Sequence, residues 1–313
     1  MSTMEPRYCY RHPDRETGLS CSDCGRPICA DCATFAPVGI RCPDHAGAQG
    51  GKKPLQIKPP KVHRAQGMSL ATGSAPVTKA LIGINLAVYL ITIAQGGGGL
   101  SNPGGSLYNR WVLIGSNAVM TQAVNAGILP ASLLPSGDLA QSHEWWRLAT
   151  SMFLHGSILH IGFNMYVLWW AGSQVEEYLG KARYIGLYLV SGLAGAAGAV
   201  IQTPFTPVVG ASGAIFGILG AMLILEWQFT GRLTGQAMTL VVINLVLGFV
   251  IPNVSWGGHI GGLIGGILIT LSYAHWRGGR AQYGQLGLSG IVGLVAVGVG
   301  SVAIAYFKVR GYA

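Results

Sequence analysis

From Pro76 onward the chain is a succession of apolar runs, each about 20 residues long, the length a helix needs to cross the hydrocarbon of a bilayer. The runs fall near 77–95, 149–171, 183–201, 211–229, 236–252, 257–275 and 286–307. Half of the 313 residues are hydrophobic and only 10% are charged, whereas soluble domains carry roughly a quarter. So little charge does not cover a water-facing surface of this size. The expected fold class is therefore an all-α polytopic membrane protein, with the lipid bilayer as its surroundings. Internal repeats and mid-membrane charges, the marks of a transporter or channel, are not evident.

The charge that exists is unevenly spread. Six of the eleven acids (Glu5, Asp14, Glu16, Asp23, Asp31, Asp44) and all six cysteines lie in the first 45 residues. This polar module, residues 1–45, does not read as a cleavable signal peptide. Residues 46–76 are rich in Pro, Gly and Ser and carry Lys52, Lys53, Lys58, Lys61 and Arg64, followed by Lys79 in the first run. They read as a basic flexible linker on the cytoplasmic side of a membrane. The net charge of +9 is thus assigned to membrane orientation, and no nucleic acid partner is expected. Lys181, Arg183, Arg232, Arg277 and Arg280 fall in the loops this orientation makes cytoplasmic, while 202–210 and 253–256 are uncharged. Seven spans then place the 308–313 tail outside. The loop 96–148 is too long for a plain connection and is expected to be partly folded.

Polar residues at membrane depth usually face the bundle interior and mark function. His160 and Asn164 stand four apart, on one helical face, with His155 five residues earlier. Ser212 begins the fourth run and His259 stands near the start of the sixth, at similar depth below the outer face. Glycines at 257, 261 and 265 and at 258, 262 and 266 repeat every fourth residue, and Gly210, Gly213 and Gly217 offer matching smallness. Such spacing lets two helix backbones approach closely. The crossing would pair a serine nucleophile with a histidine base. Glu226, fourteen residues beyond Ser212, would lie about 21 Å along the helix, and Asp138 and Glu144 belong to the loop. A dyad is therefore expected rather than a triad. The Ser212 N–H at a helix start, the Asn164 amide and a ring N–H of His160 are the candidate oxyanion donors.

The segments "GASGAIFG", "GGHIGG" and "HGSILHIGFN" with the Trp146–Arg147 pair resemble the rhomboid family of intramembrane serine proteases, over roughly residues 77–275. The resemblance implies a six-helix core, to which 286–307 adds a C-terminal seventh span within a membrane domain of 77–307. It implies Ser212 as nucleophile, His259 as base, His160 and Asn164 as the oxyanion pair, and supporting roles for Gly210, Trp146 and Arg147. Phe216 stands where many members have a tyrosine stacked on the catalytic histidine. The implied activity is cleavage of transmembrane segments of membrane proteins near the outer face of the plasma membrane, without a catalytic cofactor. The alternative is a catalytically silent relative that only binds transmembrane helices.

The N-terminal module reads "CYRH", "CSDC", "CADC" and "CPDH", four pairs with two residues between ligands. Eight such ligands imply two tetrahedral structural zinc sites. Only four residues separate Cys24 from Cys29, which favours an interleaved set: Cys9, His12, Cys29 and Cys32 on one ion, Cys21, Cys24, Cys42 and His45 on the other. The spacing resembles B-box-type zinc fingers, and the expected role is protein binding rather than catalysis.

Overall fold

The computed structural model describes residues 6–35, 39–46, 74–96, 100, 103–250, 254–277, 280–283 and 286–312. Most of the linker expected at 46–76 lies outside the described residues. The chain divides into two compact units, 1–64 and 65–313.

In the first unit, β1 (Tyr8–Cys9) pairs antiparallel with β2 (His12–Glu16), and β3 (Thr34–Phe35) with β4 (Ile40–Arg41). Isolated two-stranded hairpins are marginal in water. The buried cluster beneath them is Cys9, Cys21, Cys29, Cys32 and Cys42 around a single aliphatic side chain, Ile28. So small a core leaves the cysteines to supply the cohesion.

The second unit is helical and polytopic. Its helices are α1 (Pro76–Gly96), α2 (Gly105–Trp111), α3 (Ala118–Asn125), α4 (Arg147–Thr150), α5 (Ile158–Val167), α6 (Ser173–Leu179), α7 (Lys181–Gln202), α8 (Ser212–Thr230), α9 (Gln236–Val250), α10 (Trp256–Tyr273) and α11 (Leu288–Val309), with a hairpin of β5 (His275–Arg277) and β6 (Arg280–Gln282) before α11. Among the described residues four helical stretches are long and apolar enough to cross a membrane: Pro76–Gly96, Lys181–Gln202, Ser212–Thr230 and Leu288–Tyr312. Helix α9 has 15 residues. Helix α10 is rich in glycine and packs chiefly against α7 and α8.

Glycine explains that packing. A Cβ at Gly262 would land on the Gly213 carbonyl oxygen, and one at Gly266 on that of Gly217. A Cβ at Gly195 of α7 would lie 2.8 Å from Gly213 Cα and 3.0 Å from the Gly258 carbonyl. Backbones this close gain dispersion contacts that side chains would prevent. Contacts 213–262, 217–266 and 220–267 rise together, so α8 and α10 run parallel with their starts side by side.

The second apolar run begins its helix nine residues later than its hydrophobicity implies. Residues 151–153 make a short 3₁₀ turn, Leu154 is extended, and α5 starts at Ile158, where Ser157 Oγ accepts from the His160 N–H at 3.2 Å. Apolarity alone does not register the Gly156–Ser157 break. The helix then passes through a widened π turn, Leu168–Gly172, into α6 and ends at Gly180 with φ 81°. At the end of the unit remote from Ser212, two acids cap helices. Glu176 accepts from the N–H groups of Val77 and Thr78 (3.0 and 2.7 Å), and Glu226 from those of Gln236 and Ala237 (3.0 and 2.9 Å).

Candidate active site

Ser212 is the first residue of α8, so its N–H has no partner within the helix and lies at the positive end of the dipole. The chain reaches it through Gly210, whose φ of 132° is open to glycine alone. Gly210 N–H is held by the Ser151 carbonyl at 3.0 Å, and Val208 bridges to Leu113 of the first loop through bonds of 2.7 and 3.1 Å. A Cβ at Gly210 would lie 2.8 Å from His160 Nε2 and 3.7 Å from Ser212 Oγ. The missing side chain therefore leaves the space between serine and imidazole open.

His160 comes from the first turn of α5. Its Nδ1 faces the Gly156 N–H at 3.4 Å. An Nδ1 that accepts leaves the proton of the neutral ring on Nε2, the nitrogen turned toward Gly210. His155, fully buried, packs edge-on against it with ring centroids 5.1 Å apart. Asn164, one turn further along α5, is buried and its Nδ2 has no hydrogen-bond partner. A buried amide donor without an acceptor is costly and awaits one.

Ser212, His160, Ser157, Gly210, Ser255 and Gly258 line one cavity of about 380 Å³. His259 stands beside it on α10, buried, its ring stacked on Phe216 of α8 at 4.2 Å and 18°. Ser255 caps α10 by accepting from the Gly258 N–H at 3.1 Å, and Gln202 at the end of α7 takes the Gly257 N–H (2.6 Å) and the Ser255 hydroxyl (3.0 Å). Ser212 and His259 are not hydrogen-bonded to each other among the described residues, and His259 Nδ1 has no partner. Among the described residues no carboxylate is hydrogen-bonded to that imidazole, and Glu176 and Glu226 cap helices at the other end.

Arg147 is fully buried beneath the first loop. It donates to the carbonyls of Asn109 and Val112, both at 2.8 Å, to Ser136 Oγ at 3.2 Å and to Glu144 at 2.6 Å. Trp146 is exposed, its Nε1 3.4 Å from the Arg110 carbonyl. The pair ties the C-terminus of α2 to α4 and so fixes the loop that carries Leu113. Ser157, Ser255 and Gln202 join the site only in three dimensions. A serine directly before an apolar helix is the signal for the first two, as an N-cap; the third pairs across 55 residues and leaves none.

In the first unit Cys9, His12, Cys29 and Cys32 form one cluster and Cys21, Cys24, Cys42 and His45 another, with the ligand atoms of each within 4.8 Å of one another. His12 Nδ1 lies 3.7, 3.3 and 3.4 Å from the sulfurs of Cys9, Cys29 and Cys32. Burial alone would raise the Cys9 thiol, but backbone N–H groups at Cys29 and Arg11 outweigh it and bring the thiol down to about 6. Cys32 in the same cluster is pushed up to about 11 by burial and by its sulfur neighbours. Thiolates crowded this way repel, and a bound cation relieves the repulsion, so the donor set fits a soft divalent metal.

Residues 142–276 match the family model of the Rhomboid domain. Over 182 residues the chain is 36% identical to Rhomboid protease GluP of Bacillus subtilis (strain 168), covering 57% of this chain and 35% of that protein. RHOMBOID-like protein 1 of Arabidopsis thaliana is 31% identical over 219 residues, 66% of this chain and 54% of the plant protein. Inactive RHOMBOID-like protein 8 of the same plant is 31% identical over 132 residues, 40% of this chain and 37% of that one. The chain thus spans about a third of the length of GluP and about half of RHOMBOID-like protein 1. The domain match and these relatives support the rhomboid family, and with the apolar helices they support an integral membrane protein.

Proposed function

We propose that the chain is an intramembrane serine endopeptidase that cleaves transmembrane segments through a Ser212–His259 dyad. The observation that carries this reading is the pairing of α8 with α10. Ser212 stands on the cavity wall at the start of α8, and Phe216, one turn on, lies flat against His259. Ser212 Oγ attacks a peptide carbonyl carbon while His259 takes its proton. The Ser212 N–H, His160 Nε2–H and Asn164 Nδ2 receive the oxyanion. His259 then protonates the leaving amine, and water hydrolyses the acyl-enzyme with His259 again as base. A hydrogen-bonded helix hides its carbonyls, so substrates carry small or helix-breaking residues near the cut.

The same reading puts the N-terminus in the cytoplasm and the cavity near the outer face of the plasma membrane. It assigns one structural zinc ion to each Cys/His cluster of a B-box-like module whose partner is another protein, and no cofactor to catalysis.

A reconstituted model substrate with a single transmembrane helix tests the proposal. Wild type cleaves it and is labelled by a fluorophosphonate, whereas folded Ser212→Ala does neither. Undiminished cleavage by Ser212→Ala overturns the assignment. The second reading, helix binding without cleavage, is favoured by the missing Ser212–His259 hydrogen bond and by the relative named inactive. It predicts substrate capture by wild type and Ser212→Ala alike, with no product from either.

A further inference from the structure

At the end of the membrane unit opposite Ser212, Arg183 is the third residue of α7 and only 8% exposed. Its Nη1 is buried without a hydrogen-bond partner. The one carboxylate ion pair of this unit among the described residues is Glu144–Arg147, at the other end. Of the acids toward this end of the unit, Glu176 holds the start of α1, Glu226 holds the start of α9, and Glu177 is exposed; none of them pairs with Arg183 among the described residues.

A second orphan donor lies in the same neighbourhood. Tyr283 OH donates to Gln228 Oε1 at 2.7 Å, which leaves Gln228 Nε2 buried and unpartnered. Arg183 is within electrostatic reach of the Tyr273 and Tyr283 hydroxyls. Among the described residues neither hydroxyl accepts from Nη1: Tyr273 OH donates to the Arg183 carbonyl at 3.1 Å, Tyr283 OH donates to Gln228, and Nη1 is left without a partner. The cluster therefore presents a buried guanidinium and a buried amide N–H₂ around Tyr283, both of them donors. An unpaired buried cation is costly and calls for an anion with several acceptor oxygens.

The location narrows the chemistry. Arg183 sits at the end of a helix long enough to cross a membrane, at the level where headgroups lie. Tyr178 is exposed and packs edge-on against both Tyr283 (5.5 Å) and Phe229 (5.3 Å), and Phe229 and Trp227 stand exposed in the last turn of α8. Aromatic side chains at that level form the interfacial belt of a membrane protein. We infer that Arg183 and Gln228 bind the phosphate of an anionic phospholipid headgroup, beside Tyr283 and remote from the candidate active site.

Thermal unfolding of the full chain in neutral detergent tests this. Added phosphatidylglycerol raises the wild-type midpoint by roughly 2–4 °C, while phosphatidylcholine and inorganic phosphate leave it in place. Arg183→Gln and Gln228→Leu each lose most of that shift. Lys181→Gln, which removes an exposed charge at the same end, keeps it. Should Arg183→Gln fail to fold, Gln228→Leu carries the test. An undiminished shift in the folded variants, or an equal shift with phosphatidylcholine, overturns the site. A shift produced by inorganic phosphate overturns the lipid as its source.

Discussion

Phe216 lies flat against His259, ring centroids 4.2 Å apart with 18° between the planes. The contact joins α8 to α10 one turn below Ser212 and fixes the face that the imidazole presents. A stacked pair contributes about 0.5–1.5 kcal/mol beyond its buried area. Phe216→Leu is therefore expected to lower turnover by roughly tenfold through a less ordered base, with KM little changed. Phe216→Tyr keeps the stack and should stay close to wild type. Equal activity of the Leu and Tyr variants in a cleavage assay would dismiss the positioning role.

Asn164 makes a sharper case, because its Nδ2 is already without a partner. Removing an unsatisfied buried donor breaks no hydrogen bond, so Asn164→Ala should fold with an unchanged or higher melting midpoint. If that amide meets an oxyanion, turnover falls by roughly 10²- to 10³-fold, the effect of losing one such donor. Stability lost with activity retained would make Asn164 an ordinary interhelical residue.

Much of this site is legible in the sequence because its parts are local patterns. The glycine repeat around His259 implies a close crossing, and the crossing at Gly213 and Gly262 is there in three dimensions. His160 and Asn164 share a face by spacing alone. What is not legible is set by contacts distant along the chain. Gln202 reaches Gly257, Val208 bridges Leu113, and Arg147 gathers the carbonyls of Asn109 and Val112. The start of α5 is misplaced by an apolarity window because Met152, Phe153 and Leu154 extend the apolar run ahead of Ile158, and only Gly156 and the Ser157 cap mark where the helix begins. Glu176 and Glu226, without a role in the sequence, turn out to be remote helix caps.

The interleaved clusters predict two metal ions per chain. Elemental analysis of the full protein should find about two zinc, and His12→Ala about one, following one tetrahedral site per four ligands. With Ile28 the only aliphatic side chain in its buried cluster, the first unit should lose its protease resistance on strong chelation, since metal binding is its folding free energy. Cleavage of the model substrate should survive the same treatment. One zinc in the wild type would refute the interleaved pairing.

The orientation is open to a direct check with α8, whose 19 residues span about 28 Å. Thr206 is exposed in the loop before it and Thr234 in the loop after it. In intact cells a cysteine at Thr206 should react with a membrane-impermeant thiol reagent. A cysteine at Thr234, and the six native cysteines, should react only after permeabilisation. The opposite pattern would move the cavity to the cytoplasmic face.

The crossing itself can be stressed without touching a chemical group. A Cβ at Gly262 would fall on the Gly213 carbonyl oxygen, between the turn that carries Ser212 and the turn that carries His259. The oxygen belongs to helix backbone and a Cβ is fixed by its own backbone, so neither escapes by changing rotamer, and α8 and α10 must separate. Overpacking of this kind costs about 1–3 kcal/mol. The displacement also acts on catalysis, where about 1 Å of misplacement can cost roughly 10²-fold. Gly300 of α11 offers the control, since a Cβ there meets nothing within 4 Å. Gly300→Ala should be neutral or stabilising by up to about 1 kcal/mol, the helix preference for alanine. Gly262→Ala should lower both the melting midpoint and kcat/KM, and the loss in kcat/KM should persist at temperatures where the variant remains fully folded. A folded Gly262→Ala as active as Gly300→Ala would mean that the close approach of α8 and α10 does not set the Ser212–His259 geometry.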